Sequence, residues 1–570
     1  MPIFRLSPLA SFVEHRLFDT ARPYAAFHRL TGRLVEPDPS VFALLQAARL
    51  GNPLSFTSEQ LRQLGEPGRQ IQRLIDFELV IQDGHDPLSS FVDFYVNRPL
   101  QNPALSYKNE AGQVSIVSMS MTERVYSPER GNLPQISEEI FSDLATSILL
   151  AADGTKTLRQ IHAGLRPESD SVLDDGEFRE AVEFLTTQER QLIKFASGIE
   201  DFGNPFAPAN IVPRNLYHAS RWTGHEGAKS IQDFHLEGID DATWEFDVIE
   251  PTVNHMLRFP SQLLSGLDYG TRFCDAVFEY APALATAKGL DVLEIGGGTG
   301  TFARAFIQQA RATVGSLSYQ IMDLSPVLAE SQRRVLTDIQ PAVNHVVQDA
   351  TELDLPGHTF DLIMANEVIA DFPVASVERV TEDAGRKFAG EGAACLEEYG
   401  LSTEDAPSRF YVNSGVFRFL ERAWNHLNPG GEVIVSEYGG ESLYPRESFH
   451  LNHSEFSIHF GHVIECARKI GFNCRLAKLT EYLGIDDRTP VLGGPQEHLI
   501  CLNYVFEKYA KSLPFALFSA VDFNARFGEL ASGLRLAPIR FLPLRNNFHY
   551  GPNLGDFFVL MLGKRPSKSG

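Results

Sequence analysis

The chain has 570 residues, 43% of them apolar, and a formal net charge of −23 from 50 Lys+Arg against 73 Asp+Glu. That length allows two to four domains with separate cores, the charge disfavours nucleic acid and suits a neutral or basic peptide, and no run approaches the roughly 20 apolar residues that span a bilayer. Five scattered cysteines form no C-x-x-C pair, so neither a disulfide framework nor a metal site is expected, and the lack of an apolar stretch after Met1-Pro2-Ile3-Phe4-Arg5 makes the cytoplasm the expected location.

Residues 1–95 read as a small α+β module. A β-hairpin arm is expected at 28–36, followed by helical patterns at 40–51, 57–65 and 67–82. In the last of these Ile71, Leu74, Ile75 and Leu79 share one face. Residues 96–200 repeat that order, with strands at 114–121 and 122–126 and helices at 137–152, 157–165 and 177–194. Asp153-Gly154-Thr155 supplies a turn and a helix start. Two winged-helix-like modules in tandem are therefore expected. The run Ala152-Asp153-Gly154-Thr155-Lys156-Thr157-Leu158-Arg159-Gln160-Ile161, with Phe184-Leu185 and Gln191-Leu192-Ile193-Lys194, resembles the PqqD-like domains that recognise leader peptides of ribosomally made, modified peptides. The resemblance implies a leader added as a strand to an exposed sheet edge. The alternative is a structural spacer or a brace for a homodimer. A DNA-binding role would call for basic recognition helices, which these are not. Residues 201–290 read as a linker, rich in Gly, Pro and Asn near 197–213, and a helical lead-in.

Residues 291–570 alternate strands and helices, the pattern of a parallel α/β sheet. The segment Val292-Leu293-Glu294-Ile295-Gly296-Gly297-Gly298-Thr299-Gly300-Thr301-Phe302 is an apolar run ending in an acid, then three glycines at alternate positions, then a helix start. Its Glu-x-Gly-x-Gly-x-Gly spacing differs from the dinucleotide G-x-G-x-x-G pattern. It resembles the first motif of class I S-adenosylmethionine-dependent methyltransferases, which implies a Rossmann-like seven-stranded sheet and S-adenosyl-L-methionine as cofactor. Gly296, Gly298 and Gly300 would let the backbone pass beneath the methionine part of the cofactor. Strands two and three are expected at 318–323 and 345–348. Asp323 would accept from the ribose hydroxyls with Leu324 beside it, and Asp349 would accept from the adenine amino group with Ala350 beside it. With Glu294, these acids end three successive strands. Ser325 and Pro326 would cap and begin the next helix.

The fourth strand, 360–365, leads to Asn366 and Glu367, which would face the transferred methyl group. Here Ala365-Asn366-Glu367-Val368-Ile369-Ala370-Asp371-Phe372-Pro373-Val374 resembles the A-N-E-F-x-D-x-L-P-V segment of MidA-like methyltransferases, and Glu437-Tyr438-Gly439 resembles their D-Y-G. The likeness covers roughly 255–485. It departs in the Gly-Gly-Gly-Thr-Gly loop, in Glu437 where the family has Asp, in a lid-like insertion at 376–418, and in a substrate-side insertion at 495–555. Glu367 is the expected acceptor-holding side chain, with Asn366 beside the acceptor or the cofactor's amino-acid part and Asp371, Tyr438 and His459 in the same pocket. Leader-binding-like modules joined to this core look like the side-chain N-methyltransferases of proteusin-type pathways, which methylate asparagine amides. A protein arginine N-methyltransferase, a small-molecule methyltransferase and a non-catalytic cofactor-binding assembly factor are the alternatives.

Overall fold

The computed structural model describes residues 2–565 apart from 15–23, 51, 100–103, 120–124, 128–130, 134–135, 170, 188–189, 204–206, 211–230, 238–251, 341, 384–385, 450–453, 495 and 547–552. The chain divides into two compact units. The first comprises 1–226, 493–514 and 526–540, and the second 227–492, 515–525 and 541–570. Much of 495–555, expected to belong to the methyltransferase domain, thus packs with the N-terminal modules.

The first unit contains one arrangement twice. Strand Ile3–Leu6 lies between Leu54–Ser55 and Val80–Gln82, and strand Tyr95–Asn97 lies between Asp153–Thr157 and Lys194–Ala196, antiparallel in every pair. Each copy runs strand, antiparallel meander, helix, strand, two helices, strand. The same local chemistry recurs. Thr57 with Gln60 and Thr157 with Gln160 form capping boxes at matching helices, each satisfying helix-start N–H groups. Glu78 and Gln191, with φ of 58° and 42°, turn the chain into the matching last strands.

Several boundaries differ from the periodicity. Ile136–Glu139, read as the start of a helix, pairs as a strand with Ile116–Met119, and the helix begins at Asp143 behind the Ser142 cap. The helix read to Lys194 ends at Leu185, because Lys194–Ala196 pairs with Tyr95–Asn97. The arm read at 28–36 is a three-stranded meander of Ala10–Glu14, Tyr24–His28 and Leu34–Val35. Strand pairing is a long-range choice that local periodicity does not report. Of the strand read at 122–126, residues 122–124 lie outside the described residues.

The second unit is built on β1 (Leu290–Ile295), β2 (Leu317–Asp323), β3 (Asn344–Val347), β4 (Phe360–Asn366), β5 (Leu427–Gly440), β6 (Asn473–Lys478) and β7 (Phe557–Gly563). Their order is 3-2-1-4-5-7-6, with β7 antiparallel to both neighbours and the short strand Ile458–His459 adding to β5. This is the class I, Rossmann-like architecture. Parallel strands buried on both faces need continuous apolar runs, and Leu293, Ile321, Ile363 and Val433 are fully buried in β1, β2, β4 and β5. The insertion read at 376–418 contains a small antiparallel sheet. Ala375–Asp383 pairs with Arg386–Ala389 and Arg409–Val412, and Val377, Phe410 and Val412 enter the same core as the sheet.

Candidate active site

The register of the parallel strands aligns their carboxyl ends. Ile295 pairs with Met322 and Ala365, Asp323 with Val347, and Asn366 with Ser436. The residues that follow, Gly296, Leu324, Asp349, Glu367 and Glu437, therefore meet at one sheet edge. The strand order reverses at β1, which has β2 on one side and β4 on the other, and open α/β sheets bind ligands at such a point. A cavity of about 480 Å³ lies there.

The glycine loop forms its floor. Gly296 has a φ of 67°, and a Cβ there would come within 2.5 Å of the Val368 side chain; a Cβ on Gly298 (φ 50°) would meet only open space. Glycine is therefore required at the first position by both backbone and contact, and at the second by backbone alone. The helix Thr301–Thr313 starts at Gly300 with no side-chain cap. Glu294 is buried and accepts from the Tyr319 hydroxyl at 2.9 Å. Burial pushes its carboxyl up to about 8. Asp323, also buried and also raised by burial, accepts from the Ser325 N–H at 2.9 Å and from Gln332 Nε2 at 2.7 Å. Asp349 accepts from Thr351 N and Oγ1, both at 2.8 Å and both on Oδ1. Its other oxygen makes no hydrogen bond among the described residues, and Leu324 and Ala350 line the cavity beside these acids.

On the opposite side lie Asn366, Glu367, Asp371, Glu437, Tyr438 and Glu455. Asn366 Oδ1 accepts from the Tyr269 hydroxyl and from Ser436 Oγ, each at 2.6 Å. Glu367 stands at φ 53°. Its Oε2 accepts from Val253 N at 2.7 Å and its Oε1 from Asn254 N at 3.4 Å, capping the helix Val253–Met256, while burial raises the carboxyl to about 7. The residue expected to hold the acceptor thus holds a helix N-terminus. Glu437 is buried and accepts from Ala370 N at 3.2 Å and Tyr438 N at 2.9 Å. Burial, then the neighbouring Glu455, Glu367 and Asp371, keep its carboxyl well above the usual range. Asp371 Oδ2 lies 3.1 Å from His235 Nε2.

His459 does not join this group. It caps the helix Phe460–Ile470, accepting from His462 N at 3.1 Å, and stacks on the His462 ring with centroids 3.8 Å apart. Burial lowers it to about 4, and it is absent from the cavity wall. Sequence reasoning missed His235, Thr252, Asn254 and Glu455, all of which line the cavity. Glu437, given no role from the sequence, did carry a signal there, as the acid replacing the aspartate of a D-Y-G triplet.

The residues fit S-adenosylmethionine: a bare-backbone floor, enclosed acids on β1 and β2, and an acceptor oxygen after β3. Residues 274–413 match the model of a family described as "Putative S-adenosyl-L-methionine-dependent methyltransferase". No curated protein is similar enough to match the chain. Among solved structures, phosphoethanolamine N-methyltransferase 2 of Haemonchus contortus in complex with S-adenosyl-L-methionine is 16% identical, with 60% of this chain and 61% of that one covered and a TM-score of 0.31. A Burkholderia thailandensis protein bound to S-adenosyl-homocysteine is 18% identical, with 53% and 78% covered and a TM-score of 0.30. The chain thus spans about three fifths of the Haemonchus enzyme it matches. The matched segment holds the glycine loop and acids of the cavity, and both agree with S-adenosylmethionine-dependent methyl transfer.

Proposed function

We propose that this S-adenosylmethionine-dependent methyltransferase acts on a side-chain nitrogen of a ribosomally made peptide, an asparagine amide above all, in the reducing cytoplasm that its unpaired cysteines suit. The carrying observation is the character of the acceptor side of the cavity. Glu367, Asp371, Glu437 and Glu455 line it, and no Lys or Arg is among the described lining residues. Such a wall suits an acceptor that donates N–H groups. The Glu367 and Glu437 carboxyls, both raised by burial, suit a neutral amide better than a guanidinium, which would pull them down. Both oxygens of Glu367 already serve backbone N–H groups, so it offers no bidentate clamp for arginine.

The bound cofactor supplies an electrophilic methyl group. The chain must orient the amide nitrogen and take its proton. Glu437 and Tyr438 can orient the amide, and His235, positioned by Asp371, can accept the proton as a general base. The likeness to MidA-like enzymes and to proteusin side-chain N-methyltransferases supports the same reading. The modules of the first unit, PqqD-like in sequence, end their sheets in short outer strands, including Val80–Gln82, to which an extended leader could add.

The test is incubation of the full chain with S-adenosylmethionine and synthetic peptides, each with and without a leader, carrying asparagine or arginine. Release of S-adenosylhomocysteine with methylated asparagine, faster with the leader, is expected. Methylation of arginine alone would replace the amide reading, and indifference to the leader would remove that role from the first unit.

A further inference from the structure

We infer that the first unit carries a binding site for a small oxyanion, a phosphate or a carboxylate, built by Arg98, His498 and Arg540. Arg98 is 7% exposed and His498 2% exposed. Neither Nε nor Nη1 of Arg98 has a hydrogen-bond partner, neither ring nitrogen of His498 has one, and Nη1 of Arg540 has none. The remaining terminal nitrogen of Arg540 donates to Asn97 Oδ1 and to the Arg98 carbonyl, both at 3.1 Å, so its guanidinium lies against the Arg98 backbone.

Three chain segments are tied together here. Arg98 N donates to the Ala152 carbonyl at 3.2 Å, and Gly493 N donates to the Arg540 carbonyl at 2.8 Å. Gly494 packs so closely on the His498 ring that a Cβ would stand 3.1 Å from it. The arginines and the imidazole sit within each other's fields. Burial pushes both guanidiniums down to about 10, which leaves them cationic at neutral pH, while burial and then the two arginines hold His498 neutral at about 3.

The buried Arg98 and the half-buried Arg540, with no contacting anion among the described residues, are anomalous, because buried charges are normally paired. Other basic groups of the same unit have acceptors. Arg166 meets Asp175, Arg179 meets Asp86, and the fully buried Lys194, without a carboxylate, still donates to the Arg29 carbonyl and to Gln191 Oε1. Among the described residues the carboxylate acting on Arg98 is Asp153, whose Oδ1 is taken by Thr155 N and Oγ1. A planar carboxylate or a tetrahedral phosphate would satisfy the orphan donors of both guanidiniums and one N–H of His498. The chain's net charge of −23 repels anions at long range, so affinity must arise from this local arrangement.

The experiment is thermal unfolding of the full chain at constant ionic strength with increasing inorganic phosphate, increasing glutarate, or sodium chloride alone. A saturable rise in Tm with phosphate, glutarate or both is expected, and the anion that works identifies the source as phosphate or carboxylate. Arg98→Gln and Arg540→Gln should each weaken that response at least tenfold. Without added anion, Arg98→Met should unfold at or above the wild-type Tm, since it removes an unpaired buried charge. Lys508→Gln, an exposed cation elsewhere in the same unit, should leave the response unchanged. No saturable rise with either anion, or an equal rise in wild type and both Arg→Gln variants, would overturn the site.

Discussion

The Glu367 carboxylate caps the helix that begins at Val253, with Oε2 2.7 Å from the Val253 N–H across 114 residues of sequence. The backbone of Glu367 is left-handed, φ 53°, and its N–H is fixed by the Ser436 carbonyl at 2.9 Å. A strained residue is thus held by β5 and in turn holds the segment carrying Thr252, Asn254 and His255 to the cavity wall.

Glu367→Ala should therefore lose stability as well as turnover. Loss of a helix cap costs about 0.5–2 kcal/mol, and urea unfolding should read a decrease of that size. Turnover should fall further than cofactor affinity by calorimetry, because the displaced wall belongs to the acceptor side. Full stability in the variant would mean that the cap contributes nothing. Glu367→Gln, which keeps one acceptor for Val253, should recover most of the stability.

The pH dependence follows from Glu294. Its folded carboxyl titrates near 8, above the ordinary value of 4.5. Between those values the folded state holds a proton that the unfolded state has released, so this group makes stability fall as pH rises from about 4.5 through about 8 and level off above. Glu294→Gln keeps an acceptor for the Tyr319 hydroxyl and removes the titration. Its unfolding free energy should change less between pH 5 and pH 8 than that of the wild type. Parallel slopes for the two proteins would show that Glu294 does not carry the dependence.

Asp323 is bound from two sides by its own chain, through Ser325 N and Gln332 Nε2. Asp323→Ala should weaken S-adenosylmethionine binding by roughly ten- to a hundredfold, the loss of about 1–3 kcal/mol expected for hydrogen bonds to a charged or enclosed acceptor. The far-ultraviolet circular dichroism should be unchanged, because the helix Pro326–Val335 keeps its Ser325 cap. Asp349→Ala, whose carboxylate is also engaged by Thr351, should cost less. An unaltered affinity in Asp323→Ala would remove the ribose assignment.

What was legible in the sequence is local. The glycine loop, the acids ending β1 and β2, and the Ser325–Pro326 helix start are read from neighbours a few residues apart, and the seven strands fall close to their expected bounds. The cap on Val253, the strand at Ile136–Glu139 and the packing of 493–514 with the first unit depend on partners far away in the chain, and no short pattern encodes them. His459 illustrates the converse. Its place near a matching family segment suggested chemistry, yet the ring nitrogen serves as a helix cap on its own neighbour His462. His235 was invisible because it sits in no recognisable short motif; its partner Asp371 is 136 residues away.

That pair yields the sharpest kinetic expectation. An amide nitrogen gains a methyl group and must surrender a proton, and His235 against Asp371 is the histidine–carboxylate pair in the cavity wall. A positioned general base contributes about 10²–10⁴-fold. His235→Gln should lower kcat by about that factor with cofactor affinity held within a few fold. Asp371→Asn should lower kcat less, since the imidazole remains but loses its orienting partner. A His235→Gln enzyme with wild-type kcat would assign the proton to another group, and Glu437, the buried acid on β5 that lines the same cavity, would be the next residue to replace.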